Sequence, residues 1–330
     1  MIRRNSIEPG VAWVAACFVA AAGTLWAQPN APELHVLPVQ GNVYMLVGAG
    51  GNITVQAGKE GVLLVDSGLA QNSDRILAEI RKISDRPIRY IINTHVHPDH
   101  TGGNEKIGRA GKTIAGGNVS GNLEDAGEGA AIVAHQKVLD RMSAAPAANQ
   151  AAGQPAIPFA ALPTDTYITK EKHLYFNGEG IEVIHQPAAH TDGDSFVYFR
   201  RSDVVSTGDI FTPGSYPIID LQRGGNIQGI IAALNRLIEM TIPAEKQEAG
   251  TYVIPGHGRL CDQADVVEYR DMATIVRDRV QNLIKKGMTL EQVKAAKPTR
   301  DYDPEYGATT GFWTTDMFVE AVYRSLSSGK

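Results

Sequence analysis

Cysteine is nearly absent: the 330 residues include two, Cys17 and Cys261. So few thiols exclude a disulfide framework and a cysteine-rich zinc site. Any metal must be held by imidazole and carboxylate. Basic excess is missing too. Lys and Arg number 31 against 36 Asp and Glu, giving a formal net charge of -5 and a pI of about 6.0. That balance advertises neither nucleic acid nor an anionic membrane surface, and no nucleic-acid partner is expected. The apolar run Val11 to Ala22 is too short to span a bilayer, at about 12 residues against the roughly 20 required. Arg3 and Arg4 precede it, and Leu25-Trp26-Ala27 extends it. The whole reads as a signal peptide, residues 1–27, with the mature chain starting near Gln28. Its loss would remove two Arg and one Glu, taking the charge from -5 to -6. Val14-Ala15-Ala16-Cys17 faintly resembles a lipoprotein signal, but the apolar run continues past Cys17. A periplasmic or secreted protein is expected, with no stable membrane anchor after cleavage. At 43% hydrophobic and 20% charged, the composition is ordinary for a globular chain.

What is present in unusual density is histidine. Thr94-His95-Val96-His97-Pro98-Asp99-His100 packs three imidazoles and a carboxylate into six residues. The run Ile88 to Asn93 before it reads as a buried strand, and Thr101 to Asn104 after it as a turn opening a helix. The cluster therefore sits in a loop at the carboxyl end of a strand, where side chains can converge on one point. Imidazole with carboxylate suits zinc, iron or manganese. A single loop histidine is usually just solvated; this spacing is hard to explain without a metal.

Around that loop the chain reads as strands, then a helix, twice over. Strands are expected at His35 to Val39, Val43 to Val47, Ile53 to Ala57 and Val62 to Val65, broken by Gly-rich turns. Gly48 to Asn52 lacks the last Gly of a dinucleotide fingerprint, because Ile53 stands there, and reads as a hairpin. The helical period of Asn72 to Ile83 follows, capped by Ser73 or Asn72. Lys112 to Gly129 reads as irregular, Ala130 to Ala134 as a strand and Gln136 to Met142 as a short helix. Ala144 to Pro163 has no periodicity, and a loop over a site is slightly favoured there. A second β-rich series covers Tyr167 to Ser206. Ile227 to Met240 is helical, Tyr252 to Ile254 a strand, and Ala264 to Lys286, Leu290 to Ala296 and Asp316 to Leu326 helices. This order suggests two sheets packed face to face and covered by helices, an α+β arrangement.

Three later positions repeat the placement of a polar residue beside a strand. They are His190 in Pro187 to Asp194, Asp209 after Val204 to Ser206, and His257 after Ile254-Pro255-Gly256. Glycines on both sides of His257 permit close backbone approach. Each alone is weak. Together with His95, His97, Asp99 and His100 they make seven candidate ligands, enough for two ions.

This set, His95-x-His97-x-Asp99-His100 followed by His190, Asp209 and His257, resembles the metallo-β-lactamase-fold hydrolases, over residues 34 to 260. The resemblance implies a four-layer αββα sandwich with the site at one edge of both sheets. It implies that His95, His97 and His190 hold one metal ion, that Asp99, His100 and His257 hold another, and that Asp209 bridges them; two zinc ions are expected, with iron or manganese possible. It also implies that Asp66 supports the histidine loop from behind. The catalytic domain would be residues 28–262, with 263–330 a helical extension packed on it. The expected activity is a metallo-hydrolase, in which a metal-bound hydroxide attacks an ester, lactone, thioester or amide of a small-molecule substrate and Asp99 orients the nucleophile or moves a proton.

Asp209 stands where many β-lactamases of the best-known class carry Cys, and Thr212 where they carry Lys. The Asp form resembles the glyoxalase II, lactonase and phosphodiesterase branches. The segment Asp220 to Gly225 and the helical tail look most like exported bacterial hydrolases of this fold. A mono-iron persulfide dioxygenase and a true β-lactamase are the alternatives; a binding protein on a degenerate site is disfavoured, since no ligand is missing. Of the remaining residues, His135 is expected to be an ordinary surface histidine, His173 and His185 structural, and Tyr216 and Arg223 candidates for the pocket wall.

Overall fold

Neighbouring apolar residues on one strand part to opposite faces. In the computed structural model Leu64, Ile91 and Leu46 point into one core, while Leu63, Ile92 and Met45 point into another. The same split separates Phe196 from Val197, Val204 from Val205 and Val253 from Ile254. Side chains alternate along a strand, so a sheet of uniformly apolar strands must be covered on both faces. Two such sheets stacked give four layers, the αββα sandwich expected from the sequence. The structure describes residues 33–113, 129–144, 156–246 and 250–327. The expected signal peptide and most of the Ala/Pro/Gln-rich stretch lie outside them. Leu34–Lys330 form one compact unit.

The first sheet takes its strands in sequence order: β1 His35–Gln40, β2 Val43–Val47, β3 Ile53–Gly58, β4 Gly61–Val65, β5 Ile88–Ile92, β6 Ala131–His135 and β7 Asp165–Tyr167. The pairs from β1 to β4 are antiparallel, and those from β4 to β7 parallel. The second sheet comprises β8 Glu171–Phe176, β9 Glu179–His185, β10 Ser195–Phe199, β11 Val204–Ser206 and β12 Tyr252–Ile254, in the order β12-β11-β10-β9-β8. Only its β11/β12 pair is parallel. The helices are α1 Ser73–Ile83, α2 Pro98–Thr101, α3 Asn104–Ala110, α4 Gln136–Ser143, α5 Ile227–Met240, α6 Gln263–Lys285, α7 Leu290–Ala295, α8 Asp303–Tyr306 and α9 Thr315–Ser327.

The seam between the sheets is filled by Met45, Leu63, Val65, Ile92 and Val133 against Phe176, Val183, Val197, Phe199 and Ile254. Each such side chain contributes about 1.5–3 kcal/mol when fully buried. Ile76 and Ile80 of α1 and Ile107 of α3 cover the outer face of the first sheet. Leu234 of α5, Val276 of α6 and Phe318 of α9 cover that of the second, sharing one core with Phe196 and Val205. The parallel strands β4, β5, β11 and β12 all end on one edge of the sandwich, and loops beyond strand carboxyl ends are where such folds place sites.

Four sequence expectations are corrected. Asn72 precedes α1, but its side chain makes no cap: its amide donates to the Ala49 carbonyl (3.0 Å), pinning the β2–β3 turn. His135 is buried rather than superficial, and its ring stacks on His185 at 3.6 Å. His173 is exposed on the edge strand β8, beside Glu171. Tyr216 is almost fully buried rather than open at a pocket wall. It is buried flat against Phe318, and its hydroxyl donates to the Thr299 carbonyl (3.1 Å) and Asp303 (2.9 Å), bracing the loop after Asp209 against the C-terminal helices.

Candidate metal centre

All seven candidate ligands meet at that edge. His95, His97, His190 and Asp209 form one group, and Asp99, His100, Asp209 and His257 a second. Within each group the donor atoms lie within 4.8 Å of one another, and Asp209 belongs to both. His95 to His100 sit in the loop after β5, Asp209 in the single turn after β11, His257 after β12, and His190 between β9 and β10. Local sequence makes this crowding possible. A Cβ on Gly256 would stand 2.0 Å from Asp209 Oδ1, and one on Gly51 2.4 Å from the His100 ring. Only glycine lets the His257 loop and the β2–β3 turn come so close. Asn52 in that same turn donates to the carbonyls of Pro255 (2.9 Å) and Gly258 (3.1 Å), fixing the loop that carries His257.

The outward nitrogen of four rings is occupied by an oxygen. His95 Nδ1 meets Thr94 Oγ1 at 3.0 Å and His100 Nδ1 meets Asp66 Oδ2 at 2.7 Å. His97 Nε2 meets Asp220 Oδ2 at 2.9 Å, and His190 Nδ1 the Ile218 carbonyl at 2.8 Å. An acceptor on one ring nitrogen holds the proton there, so when the ring is neutral the other nitrogen offers a lone pair facing inward. Asp66 stands directly behind the histidine loop. It sits at φ 66 just past β4, accepts from the Thr94 N–H (2.8 Å) and hydroxyl (2.7 Å), and holds His100.

The inward atoms are short of partners. Among the described residues, His95 Nε2 and Asp209 Oδ1 are buried without a hydrogen bond. Asp209 Oδ1 lies 3.1 Å from His100 Nε2 and 3.5 Å from His257 Nε2, and its Oδ2 lies 3.8 Å from both His95 and His190. Such orphaned polar atoms, nearly equidistant from a shared carboxylate, are what a cation would satisfy. The donor set fits divalent zinc, iron or manganese.

Without ions the two groups differ electrostatically. Burial pushes His95 well down and His190 to about 4, so both rings are neutral. His100 is held well above its ordinary value, since Asp209 and Asp66 outweigh its burial. The carboxylates of Asp209 and Asp99 likewise overcome burial at His257 and lift it to about 9. Asp209 and Asp99 are driven down, because His100 and His257 outweigh burial there. The two protons on the second group balance charge that an ion would balance instead.

Three contributors escaped the sequence reading. Thr94 lay in plain sight inside the histidine stretch. Asn52 belongs to a turn read only as a hairpin. Asp220 opens the segment noted for its likeness to exported hydrolases. Arg223, a candidate for the pocket wall, donates its Nη1 to Asp220 at 2.7 Å.

Comparison with known proteins agrees with this geometry. Residues 38–257 match the family model of the metallo-beta-lactamase superfamily. The chain belongs to that superfamily. A curated relative is the linear primary-alkylsulfatase of Pseudomonas sp. (strain ATCC 19151), 24% identical over an alignment of 272 residues that covers 74% of this chain and 50% of the relative. Among solved structures, the stereoselective inverting sec-alkylsulfatase from Pseudomonas sp. superposes with a TM-score of 0.64 at 16% identity, covering 90% of this chain and 51% of its own. The BLEG-1 B3 metallo-beta-lactamase gives a TM-score of 0.53 at 20% identity, covering 73% of this chain and 100% of its own. The chain thus spans about half the length of the alkylsulfatases it matches.

Proposed function

We propose that this protein is an exported, dinuclear zinc hydrolase acting on an ester, lactone, thioester or amide bond of a small molecule. The observation that carries the reading is the set of anchored outer nitrogens, which leaves the inner donors converging on two points that share Asp209. His95, His97 and His190 would hold one ion, Asp99, His100 and His257 the other, and Asp209 both. When bound, the ions would supply an ionised water at neutral pH and positive charge opposite the leaving group.

The chain's own residues set the direction of approach. His95, His100, His190 and Asp209 are closed off, whereas the His257 and Asp99 side chains are 40% and 31% exposed. Substrate therefore comes in over Asp99 and His257. The Asp99 Oδ2 lies 3.1 Å from His257 Nε2 on that open side, where it can take a proton and pass it to a departing group. The β-lactam alternative loses support at Thr212. That side chain is buried, with its hydroxyl 3.2 Å from Tyr269, and offers no cation for a drug's carboxylate. Sulfate esters are a second reading, favoured by the alkylsulfatase relative.

Elemental analysis of the mature protein, with a panel of carboxylic ester, lactone, thioester, amide, β-lactam, phosphodiester and alkyl sulfate substrates, tests both readings. Two zinc ions per chain and turnover abolished by a chelator are expected. One iron and no zinc would transfer the reading to the dioxygenase. Chelator-treated protein that retains full activity would end the metal-dependent reading altogether.

A further inference from the structure

The segment Asp220 to Gly225 wraps the back of the site. Asp220 N–H donates to the His190 carbonyl (3.0 Å), Asn226 N–H to the Ala189 carbonyl (2.9 Å), and Asp192 N–H to the Arg223 carbonyl (2.8 Å). The turn also closes on itself, with the N–H groups of Arg223 (3.0 Å) and Gly225 (2.8 Å) both donating to the Asp220 carbonyl. Its two glycines allow it to lie flush. A Cβ on Gly225 would stand 2.2 Å from the His190 carbonyl oxygen, and Gly224 is left-handed at φ +81 against Asp192.

The Asp220 carboxylate is fully committed. Oδ1 accepts from the N–H groups of Gln222 (3.1 Å) and Arg223 (3.0 Å); Oδ2 takes Arg223 Nη1 (2.7 Å) and His97 Nε2 (2.9 Å). His97 is thereby turned the opposite way from its partners. It points Nδ1 inward, 2.9 Å from His190 Nε2, while His95 and His190 present Nε2. Two residues upstream, the Ile218 carbonyl fixes His190 in the complementary sense.

We propose that Ile218 to Gly225 is an orienting bracket for the three-histidine group, and that Asp220 is the positioning residue that makes His97 an Nδ1 donor. This rests on the metal-dependent reading of the site. Which nitrogen of a neutral imidazole carries the proton is set by the hydrogen bond on its far side, and loss of such a partner lowers metal affinity about 10- to 100-fold. In Asp220→Asn the remaining oxygen stays with the two backbone N–H groups. The amide nitrogen then faces His97, whose Nε2 must accept. The ring proton moves to Nδ1 and blocks the inward lone pair.

Zinc itself is the probe, titrated against a chromophoric chelator. Run in a His257→Ala background, the titration reads the three-histidine group alone. Asp220→Asn is expected to weaken that ion about 10- to 100-fold, and in the otherwise unchanged chain to leave the other ion within about threefold. A parent that binds two ions beside a variant with undiminished affinity would overturn the bracket and spare the metal reading; a parent that binds none would overturn both. A variant-free measurement guards against misfolding. Nitrogen-15 spectra of the metal-free parent at alkaline pH should show His97 protonated at Nε2. A proton on Nδ1 would overturn the proposal whatever the variants do.

Discussion

Replacing Asp66 by Asn exchanges one atom and no volume, yet it should dismantle half of the site. Asn tolerates the left-handed φ of 66 that this position requires, so the backbone can stay. The amide oxygen can keep the Thr94 N–H, now 2.8 Å from Oδ1, and the Thr94 hydroxyl can rotate to accept. His100 cannot adapt without consequence. Its Nδ1, 2.7 Å from Oδ2, must change from donor to acceptor, which places the ring proton on Nε2, facing Asp209 at 3.1 Å. A protonated Nε2 has no lone pair for an ion. The lost pair joins side chains that are 0% and 2% exposed, and breaking a buried pair from one side costs about 3–5 kcal/mol. The hydrogen bonds that survive place the expected loss near the lower end, about 3 kcal/mol. Urea unfolding of metal-free protein should then show a midpoint about 1 M lower, for an m-value of about 3 kcal/mol/M. Zinc content should fall from two ions to one. A midpoint within about 0.2 M of the parent, with two ions retained, would falsify the orienting role of Asp66.

Gly256→Ala puts a methyl 2.0 Å from Asp209 Oδ1, so the shared carboxylate must move. Turnover on the best substrate of the panel should drop about 100-fold or more, since a displacement of about 1 Å at a reacting centre has that effect; near-parental turnover would refute it. The buried His135 ring, stacked on His185, provides a test of pH dependence. Burial and the neighbouring His185 lower it from 6.5 to about 4, so its stabilising contribution is complete above 6.5 and lost as pH falls through 4. Thermal unfolding between pH 7 and 4 should show a steeper decline in the parent than in His135→Gln, by on the order of 1–2 kcal/mol. Parallel curves would show that the stacked pair does not titrate as described.

Strand and helix positions were legible because the apolar spacing switches cleanly between periods of two and 3.6, and the layers followed from that switch. The candidate ligands stood out because six consecutive residues carry four of them. What the sequence could not display was the reverse side of each ring. Asp220 and the Ile218 carbonyl act through hydrogen bonds that span 123 and 28 residues, and nothing local marks such a partner. His135 was misread for a related reason. Its burial comes from His185 and Tyr167, which lie on other strands, and a single histidine at a strand end has no periodicity to reveal a facing ring. Tyr216 was placed by its position between Asp209 and His257, whereas its surroundings are set by Thr299, Asp303 and Phe318, far along the chain.

The donors divide between the two halves of the sandwich. Asp66, His95, His97, Asp99 and His100 follow strands of the first sheet; His190, Asp209 and His257 follow strands of the second. Ions held there would rivet one sheet to the other across a seam already closed by apolar contact, by the reach of Asn52 and by the Gln56–Glu179 and Tyr167–Ser195 hydrogen bonds. Their binding free energy would then be part of the free energy of folding. At a free-ion level a thousand times the dissociation constant, that is about 4 kcal/mol per ion. A half-folded chain, with one sheet formed, would own fragments of both groups and the full affinity of neither. If the chain is exported as proposed, the metal supply it meets outside the cytoplasm would set how long its open seam is exposed to proteases.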